Sequence, residues 1–283
     1  MRLDKFLADM GVGSRSDLKK AIRKSLVTVN GTVEKDPGAQ VSAEDHICFD
    51  GAEIRYAEQQ YYMLHKPAGV LSASEDRRQT TVVDLINLND ELVRKDLFPV
   101  GRLDKDTEGL LIITNDGPLA HQLLVPKHHI DKTYYAIVTG TITEDDQRAF
   151  TRGIRYDEKL TALPATLRVL STGKTVADLR RELGFTATSE RLLRTRLAGP
   201  AFIGAEEPAD ITEDSLVSEV EITIQEGKFH QIKKMVKALP GGKEILYLRR
   251  ITMGALRLDP NLAPGEFRQL SDAEIKILKK ETE

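Results

Sequence analysis

An arginine and a carboxylate two residues apart, Arg102 and Asp104, open the stretch Gly101-Arg102-Leu103-Asp104-Lys105-Asp106-Thr107-Glu108-Gly109. A carboxylate can serve as nucleophile or as proton acceptor. The run Leu110 to Ile113 that follows is apolar enough for a buried strand. Asn115-Asp116-Gly117 then supplies turn residues that stop it. Asp104 is therefore expected in a loop at the mouth of a rigid sheet, where catalytic groups concentrate. The plainer alternative is a surface ion pair between Arg102 and Asp104. Gly173-Lys174-Thr175 suggests the end of a phosphate-binding loop, but the glycine required five residues earlier is Arg168. His65, His128 and His129 lack metal-site spacing with carboxylates or cysteines, so no metal is expected.

The elements that must position Asp104 follow from pattern. A chain of 283 residues suggests about two domains. Its 40% apolar and 30% charged content is that of a globular protein. No apolar run reaches the roughly 18 residues of a membrane span. The charged start lacks a signal core, so a cytoplasmic protein away from membranes is expected. A single cysteine, Cys48, excludes an internal disulfide. Net charge is −3, yet residues 1–30 hold seven Lys/Arg against three Asp/Glu, and residues 228–250 hold seven against one. Local basic patches on an acidic chain suit selective phosphate contact.

Leu3, Phe6, Leu7 and Met10 share one helix face, ended by Gly11. Ser14 and Asp17 form a capping pattern for a second helix. Its apolar face is Leu18, Ala21 and Ile22; Arg15, Lys19, Lys20, Arg23 and Lys24 crowd the rest. Val27 to Val33 reads as strand, Asn-Gly turn, strand. After the polar junction Ala57 to Gln60, Tyr61 to Lys66 begins a new core as a strand ended by Lys66-Pro67, with Pro67 and Gly69 as turn formers. Pro118 to Val125 reads as a helix. Lys132 to Val138 and Val220 to Ile224 read as strands. Gly227 turns the chain into a basic helix, and Gly254 to Leu258 closes the domain.

The stretch from Gly101 to Gly117 resembles the central motif of the pseudouridine synthases that modify ribosomal RNA. Two further stretches resemble that family: Tyr61 to Val70, and Glu219 to Met235 with Gly227-Lys228-Phe229-His230-Gln231-Ile232-Lys233-Lys234. Residues 1–56 resemble the small RNA-binding domain of the ribosomal protein S4 type. The resemblance implies an α+β protein. A small N-terminal RNA-binding module over 1–56 precedes a catalytic domain over 57–283, whose mixed, mostly antiparallel sheet is flanked by helices. It implies that Asp104 is the catalytic carboxylate and that Tyr134 stacks on the target base. It implies that Lys233 pairs with the carboxylate, and Arg102 is expected as a second catalytic cation that favours its charged form. Tyr135, by alternation, should face away from the site. Arg2, Lys5, Arg15, Lys19, Lys20, Arg23, Lys24 and Lys234 are the expected RNA contacts.

The implied reaction converts a uridine in ribosomal RNA to pseudouridine without cofactor. The His-Gln and Lys-Lys pairs resemble the small-subunit (16S) branch more than the large-subunit (23S) one. The expected partner is ribosomal RNA or the assembling subunit, met as a monomer. Whether Asp104 attacks C1′ or abstracts a ribose proton is left open by the residues. Two rivals remain. A hydrolytic glycosidase would need two flanking carboxylates; Asp106 and Glu108 are near, but read more simply as capping and solvation. A non-catalytic assembly factor would not need the Asp104, Tyr134 and Lys233 set. Residues 173–216 depart from the family pattern as an insertion. Val176, Leu179 and Leu183 mark one helix, capped by Thr175 and Asp178 and ended by Gly184; Leu192, Leu193 and Leu197 mark a second. The insertion is either a helical hairpin with a solvated acidic return or an additional RNA contact, and is expected to be replaceable by a Gly/Ser turn without loss of the fold.

Overall fold

The computed structural model describes residues 1–42, 44–54, 59–87, 96–158, 160–183 and 211–280. At the N-terminus, α1 (Leu3–Asp9) and α2 (Arg15–Arg23) pack on a four-stranded antiparallel sheet. Its strands are β1 (Val27–Val29), β2 (Thr32–Val33), β3 (Ile47–Phe49) and β4 (Ala52–Ile54), in the order β2-β1-β3-β4. Leu3, Phe6, Leu7, Leu18 and Ile22 join Val27 and Ile47 in a separate core, which is the face the spacing predicts. Ser14 caps α2 by accepting from the Asp17 N–H at 3.2 Å. Both hairpins turn on residues at positive φ, Asn30-Gly31 and Asp50-Gly51. The second is an Asp-Gly turn of the same chemistry as the first. Of the junction at 57–60, where one module is expected to give way to the next, the first two residues lie outside the described residues.

The larger sheet has nine strands. Along it run β13-β5-β7-β11-β8-β10-β9, with β6 (Phe98–Pro99) on β7 and β12 (Leu256–Arg257) on β11. Here β5 is Tyr61–Lys66, β7 Glu108–Thr114, β8 Lys132–Thr139, β9 Thr166–Thr175, β10 Leu216–Ile224, β11 Ile245–Met253 and β13 Phe267–Gln269. Neighbours pair antiparallel except β7 with β11, which are parallel. The fold is thus α+β, with a mixed, mostly antiparallel sheet. One face packs on α3 (Val82–Asn87), α5 (Glu144–Arg152) and α7 (Gln231–Lys237) through Leu64, Ile86, Leu111, Val138, Phe150, Ile222 and Met235. The other packs Met63, Leu110 and Ile112 on α4 (Gly117–Leu124) and α8 (Asp272–Lys280). No helix among the described residues is long and apolar enough to cross a membrane.

Two features differ from the sequence reading. Strand β11, central in the sheet, has no counterpart in the sequence reading, which placed only the short closing strand at Gly254 to Leu258 after it. The segment expected to be replaceable also contributes to the core. β9 runs on through Thr175, and α6 (Val176–Leu183) begins there with the expected cap, Asp178 N–H donating to Thr175 Oγ1. Val176 and Leu179 then bury against Ile137, Val217, Leu246 and Tyr247. Excising 173–216 would expose that cluster, so the fold would not survive unharmed. Lys174 and Arg181 in this segment pair with Glu219 and Asp178, respectively. The second expected helix, around Leu192 to Leu197, lies outside the described residues, as does Gly184.

The parallel contact between β7 and β11 depends on Gly109. It sits at φ +109, and a Cβ there would lie 2.2 Å from the carbonyl oxygen of Arg250. Gly109→Ala should therefore destabilise by about 3 kcal/mol, from overpacking plus left-handed strain. Gly69, at φ +89 with open space around it, provides the control: Gly69→Ala should cost about 1 kcal/mol, the backbone component alone. Urea denaturation of both variants checks the difference; equal losses would remove the close-approach argument.

Candidate active site

A cleft opens on the sheet face carrying α7, lined by Arg102, Asp104, Thr107, Tyr134, Leu248, Lys228, His230 and Lys233. Three separate chain regions meet in it. Asp104 lies in the loop before β7. Tyr134 points in from β8, and Lys233 from the first turns of α7. Between β7 and β8 lies β11, which brings Leu248 to the floor, so Asp104 and Tyr134 approach from strands two positions apart.

Asp104 is one-quarter exposed, with Lys233 Nζ 3.2 Å from its Oδ2 and His230 Nε2 3.7 Å from its Oδ1. Lys233 also reaches Asp106 Oδ1 at 2.6 Å. One ammonium thus bridges two carboxylates of the same loop. Arg102 lines the cleft and is exposed, but among the described residues it forms no ion pair with Asp104. The surface pair considered from sequence is therefore not formed; the cation beside Asp104 is Lys233. Tyr134 is buried at the cleft wall. Tyr135 faces the opposite side, where its hydroxyl donates to Glu219 at 2.6 Å under the guanidinium of Arg249.

Asp106 and Glu108 are not solvated. Asp106 is almost buried and held by Lys233. Glu108 is fully buried and accepts from the Tyr247 hydroxyl at 2.7 Å on the far face of the sheet. Glu108 therefore points away from the cleft, and the two-carboxylate arrangement of a hydrolytic glycosidase finds no support in it.

The residue that sequence reasoning passed over is Lys66. It is fully buried, and its ammonium donates to the carbonyls of Pro67 at 3.0 Å, Lys105 at 3.2 Å and Thr107 at 2.9 Å. Ser72 adds two bonds to Leu103, and Gly69 N–H donates to Lys105. The end of β5 and the turn after it therefore clamp the Asp104 loop by its backbone. A lysine closing a strand otherwise buried at every position was the available signal. Burial lowers its pKa to about 8, with Asp106, Glu108 and Asp104 opposing that shift.

The basic residues of the N-terminal module fall into two groups. Arg2, Arg15 and Lys19 gather around the buried carboxylate of Asp4, at 3.0, 3.1 and 3.8 Å. The Arg2 hydrogen bonds hold Asp4 down at a pKa of about 2. Three cations on one anion leave a positive surplus at a surface that remains about half open. Lys20 pairs with Asp17 at 3.4 Å. Lys5, Arg23 and Lys24 are exposed, with no ion pair among the described residues. Lys234 stands beside the cleft on α7, its ammonium 5.7 Å from the Phe229 ring centroid.

Residues 60–238 match the family model of RNA pseudouridylate synthase, and residues 1–47 match that of the S4 domain. The chain is 38% identical to an uncharacterized RNA pseudouridine synthase of Bacillus subtilis over 98% of both proteins. It is 33% identical to ribosomal small subunit pseudouridine synthase A of Pasteurella multocida, over 99% of this chain and all of the other. It is also 33% identical to ribosomal large subunit pseudouridine synthase B of Bacillus subtilis, over 98% of this chain and 95% of the other. A crystal structure of a pseudouridylate synthase superposes with a TM-score of 0.57 at 32% identity, covering 98% of this chain and 99% of that one.

The buried ammonium of Lys66 has a measurable consequence. Its folded pKa of about 8 lies below its ordinary value of 10.5, so between those values the unfolded chain binds more protons. Stability must then rise with pH across that window, and the penalty is complete below pH 8. Lys66→Met removes this component. The stability of the wild type minus that of the variant should climb by about 3 kcal/mol from pH 7.5 to pH 10.5. Urea denaturation at several pH values measures it, and the shared contribution of Lys132, also lowered to about 8 by burial, cancels in the difference. A flat difference would show that Lys66 titrates normally.

Proposed function

The chain belongs to the RNA pseudouridylate synthase family, and on that premise we propose that it isomerises a uridine of ribosomal RNA with Asp104 as the catalytic carboxylate. The observation that carries this reading is the Asp104–Lys233 pair, 3.2 Å apart in a cleft walled by Tyr134. The reaction breaks the N1–C1′ bond and forms C5–C1′; C5 gives up its proton and N1 takes one up, so the composition is unchanged. Electrons are neither gained nor lost overall, so the chemistry calls for no redox cofactor. Asp104 either attacks C1′ or takes a ribose proton; in both cases it must act on a base brought out of its stack. Tyr134 offers that base an aromatic face. Lys233 opposes the negative charge of Asp104 and Asp106 and fixes their geometry. Arg102, exposed at the rim and without a carboxylate partner among the described residues, suits a phosphate of the bound strand.

Within ribosomal RNA we assign the small-subunit molecule. The support is the stretch His230-Gln231-Ile232-Lys233-Lys234, which resembles that branch. The large-subunit alternative rests on the equal 33% identity to both kinds of relative. The N-terminal module is assigned to RNA binding, with Lys5, Arg23 and Lys24 and the Asp4-centred cluster as its phosphate contacts. Residues 1–56 and 57–283 are then two domains, each with its own core.

Ribosomal RNA labelled with tritium at uridine C5 tests the chemistry. Release of tritium with the strand intact means isomerisation, and free base means hydrolysis. Small- and large-subunit RNA assayed separately decide the branch. Asp104→Asn nearly keeps shape and removes charge, so release should vanish while RNA binding persists. Turnover within tenfold of wild type would sink the assignment. Removing residues 1–56 should leave the larger domain folded and raise the Kd for RNA at physiological salt. An unchanged affinity would show that the module does not touch this substrate.

A further inference from the structure

The Asp104 cleft accounts for one nucleotide, whereas an RNA strand continues past it. On the rim stands Phe229. It is 74% exposed, more than any other large hydrophobic residue among those described. A single exposed apolar side chain is ordinary, so exposure alone means little. The construction beneath it is what points to a ligand. The loop from Glu226 to His230 is stapled by buried Gln231, whose Nε2 donates to Glu226 Oε1 at 2.6 Å and whose Oε1 accepts from the Lys228 N–H at 2.9 Å. Glu226 in turn accepts from the Leu163 N–H at 2.9 Å. His230 takes the left-handed conformation, φ 53 and ψ 27, uncommon for a residue with a side chain. The turn lays its imidazole flat on the Phe229 ring, 3.8 Å between centroids and 19° between planes.

The same imidazole lines the cleft and contacts Asp104. An aromatic ladder thus leads from the catalytic carboxylate through His230 to Phe229 and ends there in solvent. Lys234 stands at 5.7 Å from the ring and forms no salt bridge among the described residues. A rigid ring with an ammonium beside it matches a nucleotide: a base for the ring, a phosphate for the cation.

We infer that Phe229 is a stacking platform for the nucleobase next to the target uridine, with Lys234 taking the adjoining phosphate. The inference rests on the reading of the substrate as RNA. Because every base has a π-face, the platform tolerates any neighbouring base and holds the strand so that the uridine alone enters the cleft.

The probes are fluorescently labelled decauridylate, for binding, and tritiated ribosomal RNA, for turnover. Phe229→Ala, on an exposed ring, should weaken decauridylate binding about tenfold, and Phe229→Trp should stay within twofold of wild type. Stacking releases no counterions, so the slope of log affinity against log salt should be unchanged in Phe229→Ala. Lys234→Ala should make that slope shallower by about 0.7. On ribosomal RNA, Phe229→Ala should raise KM by a similar factor and leave kcat alone. Wild-type affinity in Phe229→Ala overturns the proposal, as does failure of the wild type to bind decauridylate. A fall in kcat at constant KM also overturns it, since the ring would then act only through His230. If the wild type releases no tritium, the isomerase reading fails, and the decauridylate measurements still decide the platform.

Discussion

The site depends on one constraint: a loop must hold Asp104 open to a cleft while its own backbone is buried. Buried carbonyls need donors, and an unmet one costs roughly 1–3 kcal/mol. Lys66 supplies them from behind, its ammonium shared among Pro67, Lys105 and Thr107. Lys233 holds the same loop from the front, across Asp104 and Asp106. Two cations on opposite sides fix both the path of the backbone and the aim of the carboxylate. Neither side chain is dispensable, because removing either would leave buried polar groups without a partner.

The sheet sets the second dimension of the site. Adjacent strands lie about 4.8 Å apart, and β11 separates β7 from β8. The Asp104 loop and Tyr134 are thus held about 10 Å apart in the plane of the sheet, with Leu248 between them at the floor of the cleft. This spacing exists because Gly109 lets β7 close on Arg250 without a side chain in the way. Alternation along β8 then decides which tyrosine meets the cleft. Tyr134 faces it, and Tyr135 is committed to Glu219 behind the sheet.

The reverse face is not inert packing. Glu108, Tyr247, Tyr135, Arg249 and Glu219 form a polar band between two apolar clusters. Helix α6 covers one of those clusters through Val176 and Leu179. The segment that departs from the family pattern is thereby tied to the strands that carry Tyr134. Two of its basic residues, Lys174 and Arg181, are engaged with acidic neighbours, which favours a structural contribution from these two over a phosphate contact.

Much was legible in the sequence where physics is local. The helix faces of Leu3, Phe6 and Leu7, the Ser14 and Thr175 caps, the Asn30-Gly31 turn and the alternation of Tyr134 and Tyr135 all follow from period and capping chemistry over a few residues. Asp104, Tyr134 and Lys233 were legible through motif and resemblance, and the structure brings them to one cleft. Their catalytic roles rest on the proposal above. What the sequence could not supply was long-range pairing. Arg249 and Arg250 lie in β11, but nothing local in the sequence says that a strand here enters the sheet centre parallel to β7. Lys66 reads as a strand end until Lys105 and Thr107 are folded against it, 39 and 41 residues away. Asp106 and Glu108 share one loop pattern, yet one faces Lys233 and the other Tyr247, because only the closed sheet assigns their sides. Local order is written in neighbouring residues; the charge and burial of a site are decided by groups that meet only when the chain has folded.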